Sequence, residues 1–124
     1  MIRIGMPVRF RAWIYETREM KSVTDTMGNL THYCDTEFSS EHDLLQWTGC
    51  LDQNAVPVYI GDICEFDNGD RCIIRRHHYL ECYGDWIGEP ECDNHLRDLY
   101  RVQRAKIIGN IYQNPELITT KNYL

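Results

Sequence analysis

Between residues 44 and 66 the chain reads LLQWTGCLDQNAVPVYIGDICEF, and this stretch restricts the fold more than any other. Two apolar runs, 44–48 and 58–66, enclose the polar segment Asp52-Gln53-Asn54-Ala55, and Gly61-Asp62 punctuates the second run. Turn formers between runs rich in β-branched and aromatic residues predict strand, turn, strand.

The flanking sequence extends the same pattern. Along Val8-Arg9-Phe10-Arg11-Ala12-Trp13-Ile14 the period is two. Val8, Phe10, Ala12 and Ile14 should face a core, and Arg9, Arg11, Trp13 and Tyr15 the opposite side. Residues 16–19 read as a turn and 20–23 as the next strand. Gly28-Asn29, between residues 22–26 and 30–33, suggests another hairpin. The acidic run 35–43 reads as a loop. Ser40 could cap a short helix there, but a strand from Leu44 is the expectation.

Residues 63–66 and 71–75 flank Asp67-Asn68-Gly69-Asp70, the clearest hairpin signal. Asn-Gly tolerates the positive φ angles of a type I′ turn. Its carboxylates supply too few oxygens for calcium, which takes about six to eight. Residues 80–94, with Gly84, Gly88 and Pro90, form an excursion or loose hairpin. Leu96, Leu99, Tyr100 and Gln103 have helical spacing, allowing a short helix over 94–103. Residues 105–112 suit a last strand. Asn114-Pro115-Glu116-Leu117 then gives a cap, a proline for the first helical position and an acid in the first turn. Residues 119–124 read as a frayed tail.

At 124 residues, with 43% hydrophobic and 26% charged, the chain has the size and composition of one folded domain. No apolar run approaches the ~20 residues of a membrane span. Residues 1–5 lack the apolar core of a signal peptide, so a cytoplasmic protein is expected. The six cysteines contain no CxxC pair. In that compartment they are reduced thiols, most of them packing residues. A net charge of -6 disfavours general nucleic-acid binding, whereas a basic partner surface would be attracted.

Several blocks coincide with one family. Phe10-Arg11-Ala12-Trp13 with Glu19-Met20 resembles the opening block of YopX-like proteins of phages and prophages. Leu45-Gln46-Trp47-Thr48-Gly49, Leu51-Asp52, Val58-Tyr59 and Gly61-Asp62-Ile63 resemble its central block. Ile107-Ile108-Gly109-Asn110-Ile111-Tyr112 and Asn114-Pro115-Glu116-Leu117 resemble the closing block. The departures are Ile14 and Ile60 where acids are usual, and Ala55 where glycine is usual, so the central turn should be less tight. Residues 67–106 match little and form a variable excursion where partner-specific features would sit. The resemblance implies a mainly β fold, an SH3-like, partly open β-barrel with additional hairpins and at most short helices, spanning 1–124 as one domain. It brings no catalytic residues.

The residues offer three kinds of site. His78-x3-Cys82 and Cys92-x2-His95 present two short Cys/His pairs, the ligand types of a structural, tetrahedral zinc site. His77 could replace His78, and no other cofactor is implied. Arg9, Arg11 and Trp13, extended by Arg71, Arg75 and Arg76, would make a cation and stacking surface for single-stranded nucleic acid. Tyr83 and Trp86 would anchor on a host protein, with Asp85 and Glu89 steering this chain to a basic surface of that partner. A thiol nucleophile would need a low-pKa cysteine beside a base, and no motif singles one out. The expectation is a non-enzymatic accessory protein that binds and modulates a host macromolecule, such as an inhibitor of a nucleic-acid-targeting defence protein. Direct nucleic-acid binding is the alternative.

Overall fold

The computed structural model describes residues 9–23, 42–76, 82–88, 96 and 99–118. The order is β1 (Phe10–Ile14), β2 (Glu19–Ser22), β3 (His42–Leu51), β4 (Pro57–Tyr59), β5 (Asp62–Phe66), β6 (Arg71–Arg76), β7 (Cys82–Ile87) and β8 (Ala105–Asn110). Two 3-10 turns, Leu99–Arg104 and Pro115–Leu117, bracket β8. The protein is mainly β, as expected. Among the described residues no helix is long and apolar enough to cross a membrane. The chain forms two compact units, residues 2–47 and residues 48–124.

In the first unit β1 pairs antiparallel with β2 and with β3. The β1–β2 loop closes through the Arg18 amide, which donates to the Ile14 carbonyl at 2.8 Å. Ala12, Ile14 and Val23 are buried with Phe10 against them, matching the face predicted from alternation. The opposite face, which carries Arg9 and Arg11, is also largely buried at its apolar positions. Trp13, Leu45 and Trp47 there are 6%, 5% and 9% exposed, so this sheet buries apolar side chains on both sides. The strand predicted from Leu44 is present and starts at His42; a helix there is excluded.

In the second unit the strand order is β7-β6-β5-β8, all antiparallel. Alternation divides its apolar residues cleanly. Cys64, Cys72, Ile74, Val58, Leu96, Val102 and Ala105 form one cluster, flanked by Phe66, Trp86, Leu99 and Ile107. Ile63, Ile73 and Ile87 form the other, covered by Ile108, Ile111, Leu117 and Ile118. Ile63 and Ile74 are fully buried, and each contributes about 1.5–3 kcal/mol by leaving water. A register shift between β5 and β8 places Ile63 opposite Gly109 and Cys64 opposite Ile107. The extra residue, Ile108, is a bulge; Ile107 packs on the first cluster and Ile108 on the second. Beside β7, Leu96 exchanges both backbone hydrogen bonds with Gly84. A Cβ at Gly84 would meet the Leu96 Cβ at 2.9 Å, so glycine admits Leu96 to the core.

Two described turns depart from expectation, while the hairpin predicted at Gly28-Asn29 lies outside the described residues. In the β5–β6 loop the Gly69 amide donates to the Phe66 carbonyl and the Phe66 amide to the Asp70 carbonyl, both at 2.9 Å. Gly69 has φ +92° and Asn68 has no positive φ. This is a three-residue loop ending in a glycine bulge, not a type I′ turn. The β3–β4 loop repeats it: the Ala55 amide donates to Asp52 at 3.0 Å and the Asp52 amide to Val56 at 2.9 Å. Ala55 has φ +62°. The central turn is therefore no looser for lacking glycine; alanine has been forced into the left-handed region. The short helix predicted over 94–103 is a 3-10 segment, Leu99–Arg104. Asn114 makes no side-chain cap.

Candidate functional site

The polar residues of the family-like blocks are turned inward. Asp52 is 5% exposed. Its Oδ1 accepts from the amides of Asn54 at 2.8 Å and Val56 at 2.9 Å, and its Oδ2 from the amide of Ile107 at 3.0 Å. One carboxylate thus ties the central turn to β8. Asp62, 1% exposed, accepts from the Tyr59 amide at 2.8 Å, closing the chain reversal at Gly61, whose φ is +95°. Asn110 Oδ1 accepts from the amides of Tyr112 and Gln113, at 3.0 and 2.8 Å. The side chain of Asn114 reaches back instead of capping forward, accepting from the Asn110 amide at 3.2 Å. It occupies the space beside Gly109, where a Cβ would lie 2.5 Å from Asn114 Oδ1. These groups replace water for buried backbone amides.

The described thiols are packed. Cys64 and Cys72 face each other across β5 and β6, both fully buried and unbridged. Burial pushes the Cys72 thiol up to about 12, with Asp85 adding to it. Burial, then the Cys72 thiol and the carboxylates of Asp62 and Asp52, push Cys64 up as well. Burial also raises Cys82, against the lowering effect of Arg76. At neutral pH all three remain thiols, the poorly nucleophilic form.

The proposed zinc set falls largely outside the described residues: His78, Cys92 and His95, with the alternative His77. Cys82 opens β7, half-buried. Among the described residues no three His, Cys, Asp or Glu side chains are grouped to hold a metal ion.

The cation and aromatic residues chosen for nucleic acid are divided between the two units. In the first unit the Arg9 guanidinium lies over the Trp47 ring, 4.6 Å from its centroid, a cation–π contact. Trp13, at 6% exposure, offers almost no ring face for a base. In the second unit Arg71 and Arg75 share one face of β6, while Arg76 falls on the alternate side. Arg71 Nε donates to Glu65 Oε2 at 2.8 Å, and Lys106 stands 3.9 Å from Glu65 Oε1.

Alternation divides the protein-binding residues too. Tyr83 and Asp85 lie on the face of β7 that carries Arg75 and Arg71, by the register Arg75 opposite Tyr83 and Ile73 opposite Asp85. Arg75 Nε donates to Asp85 Oδ2 at 2.7 Å. Two residues assigned by sequence to different partners are therefore one ion pair. Trp86 is on the other side, its ring 5.5 Å from that of Phe66 and packed against the core cluster. Glu89 lies outside the described residues. Among the described residues, the exposed or half-buried polar side chains on this side of the sheet are Arg71, Arg75, Tyr83 and Asp85, with Glu65 and Lys106, around the buried Ile63, Ile73 and Ile87. Sequence reasoning missed Glu65 and Lys106. Counting strand positions back from the Asn68-Gly69 turn would have found Glu65 opposite Arg71.

A family model described as YopX protein matches residues 9–119. No curated protein matches the sequence. Among solved structures, the chain is similar to the crystal structure of protein EF1440 from Enterococcus faecalis. The identity is 20%, the TM-score 0.64, and the match covers 93% of this chain and 100% of that one. At that identity the likeness concerns the fold.

Proposed function

The chain belongs to the YopX protein family, and from that membership we propose that it is a non-enzymatic accessory protein of phage or prophage type, acting by binding a host protein. The further step, that the host protein is a nucleic-acid-targeting defence factor, rests on the setting in which such accessory proteins occur. The observation that carries the binding role is how the reactive-looking groups are used. Asp52, Asp62 and Asn110 are bound to backbone amides, and burial holds the described core thiols protonated. Among the described residues of the variable region, β6 and β7 carry a group of exposed and half-buried polar side chains, Arg71, Arg75, Tyr83 and Asp85. It offers a half-buried tyrosine flanked by cations and a carboxylate, the mixture of aromatic anchor and charged rim by which protein interfaces are recognised.

The test is co-purification from host cells with wild-type protein and with a Tyr83→Ala/Asp85→Arg variant of matched stability. One host protein should be retained by the wild type and lost by the variant. Expression should also relieve host restriction of an incoming phage or plasmid, and the variant should not. Absence of any wild-type-specific partner would defeat the reading.

A further inference from the structure

The two matching turns differ at a position with chemistry of its own. In residues 52–56 Asn54 precedes Ala55; in residues 66–70 Asn68 precedes Gly69. We propose that Asn68 is a site of spontaneous deamidation, and that Asn54, in the same turn architecture, is not. The Gly69 backbone nitrogen, having given its proton to hydroxide, attacks Asn68 Cγ. The N–Cγ bond forms, the Cγ–Nδ2 bond breaks, and ammonia leaves with a proton taken from water. Water then opens the cyclic imide at either carbonyl, giving aspartate or isoaspartate. No electrons are transferred, and the solvent supplies both co-reactants.

The geometry favours Asn68 among the described asparagines. Asn68 and Gly69 are both exposed, and nothing lies within 4 Å of where a Gly69 Cβ would be, so the ring has room to close. Glycine also lacks the side chain that hinders approach of its nitrogen. At Asn54 the following residue carries a Cβ. Asn114 precedes Pro115, which has no amide proton to lose. Asn110 is buried with its side chain engaged by Tyr112 and Gln113.

The folded turn restrains the reaction it permits. The Gly69 amide donates to Phe66. Asn68 Oδ1 accepts from the Asp70 amide at 3.0 Å, and Asn68 Nδ2 donates to Asp70 Oδ2 at 3.1 Å. These bonds must open before the nitrogen reaches Cγ. The product places a carboxylate between Asp67 and Asp70, and isoaspartate also lengthens the backbone at the hairpin tip. Like charges there weaken the β5–β6 turn.

Full-length protein is aged in mildly alkaline buffer, native and in urea, and mapped by peptide mass spectrometry. A mass gain of about 1 Da is expected at Asn68 as two chromatographically distinct products, and none at Asn54. The reaction should run several-fold faster in urea. Ala55→Gly should turn Asn54 into a second site, and Gly69→Ala should silence Asn68. An Asn68 as inert as Asn54 in both states, or an Asn54 unaffected by Ala55→Gly, would overturn the proposal. Equal rates in native buffer and urea would remove the restraining role of the turn. Should Gly69→Ala fold poorly, the Ala55→Gly arm decides alone.

Discussion

A buried carboxylate is tolerated only where donors replace its lost water, and Asp52 shows how a single side chain meets that condition. Three backbone amides point at it, two from its own turn and one from β8. Asp52→Asn preserves volume but substitutes an NH2 group for one accepting oxygen, leaving at least one amide facing a donor. A loss of about 2–4 kcal/mol is expected from the charged hydrogen bonds removed and the amide left unsatisfied. Urea melts would measure it, and a variant as stable as wild type would contradict the structural role. The core thiols give a second residue-scale prediction. The folded pKa of Cys72 lies above its ordinary 9.0, at about 12, so the unfolded chain loses that proton first. Its contribution is intact below pH 9.0 and is lost as pH rises toward 12. Each such thiol steepens the alkaline loss of stability by about 1.4 kcal/mol per pH unit in that window. A Cys72→Ala variant, less stable at neutral pH, should show the shallower slope in melts taken across it.

The two bulged turns are elements built alike from different residues, and the comparison isolates one conformational cost. Gly69 takes positive φ freely, whereas Ala55 takes it at about 1–2 kcal/mol; part of that is offset because glycine orders at a higher entropic cost. Ala55→Gly should therefore stabilise by about 0.5–1 kcal/mol, and Gly69→Ala should destabilise by a similar amount. No neighbour contacts the Gly69 Cβ position, so packing does not confuse the second arm. Opposite signs in thermal melts are the expected outcome; two losses would mean the αL strain at Ala55 is relieved by something else. Much at this scale was legible in sequence. The strand faces of Phe10, Ala12 and Ile14, and of Cys64, Cys72 and Ile74, follow from a period of two. The type of turn was not legible, because Asn-Gly suits both a type I′ loop and a bulge, and register decides between them. Nor was the fate of Trp13, since alternation tells which residues share a face and not whether that face is covered.

At the scale of the whole molecule, a net charge of -6 coexists with one side of the β7-β6-β5-β8 sheet where, among the described residues, Arg71, Arg75 and Lys106 outnumber Glu65 and Asp85. That local contrast is why the candidate surface was hard to read from sequence: Arg75 and Asp85 are ten positions apart and meet only through strand pairing. It also lets binding be separated from folding. Asp52 serves the fold and is buried, while Tyr83 and Asp85 are half-buried. Removing an aromatic anchor costs interfaces about 2 kcal/mol or more, roughly a 30-fold loss of affinity. Exposed pairs such as Arg75–Asp85 add only about 0–1 kcal/mol to stability. Tyr83→Ala/Asp85→Arg should therefore abolish retention of the host partner while melting close to wild type. Asp52→Asn, assayed below its melting transition, should retain the partner with unchanged affinity. The reverse pattern, with binding following Asp52 and indifferent to Tyr83 and Asp85, would move the interface off β6–β7 and onto the central turn.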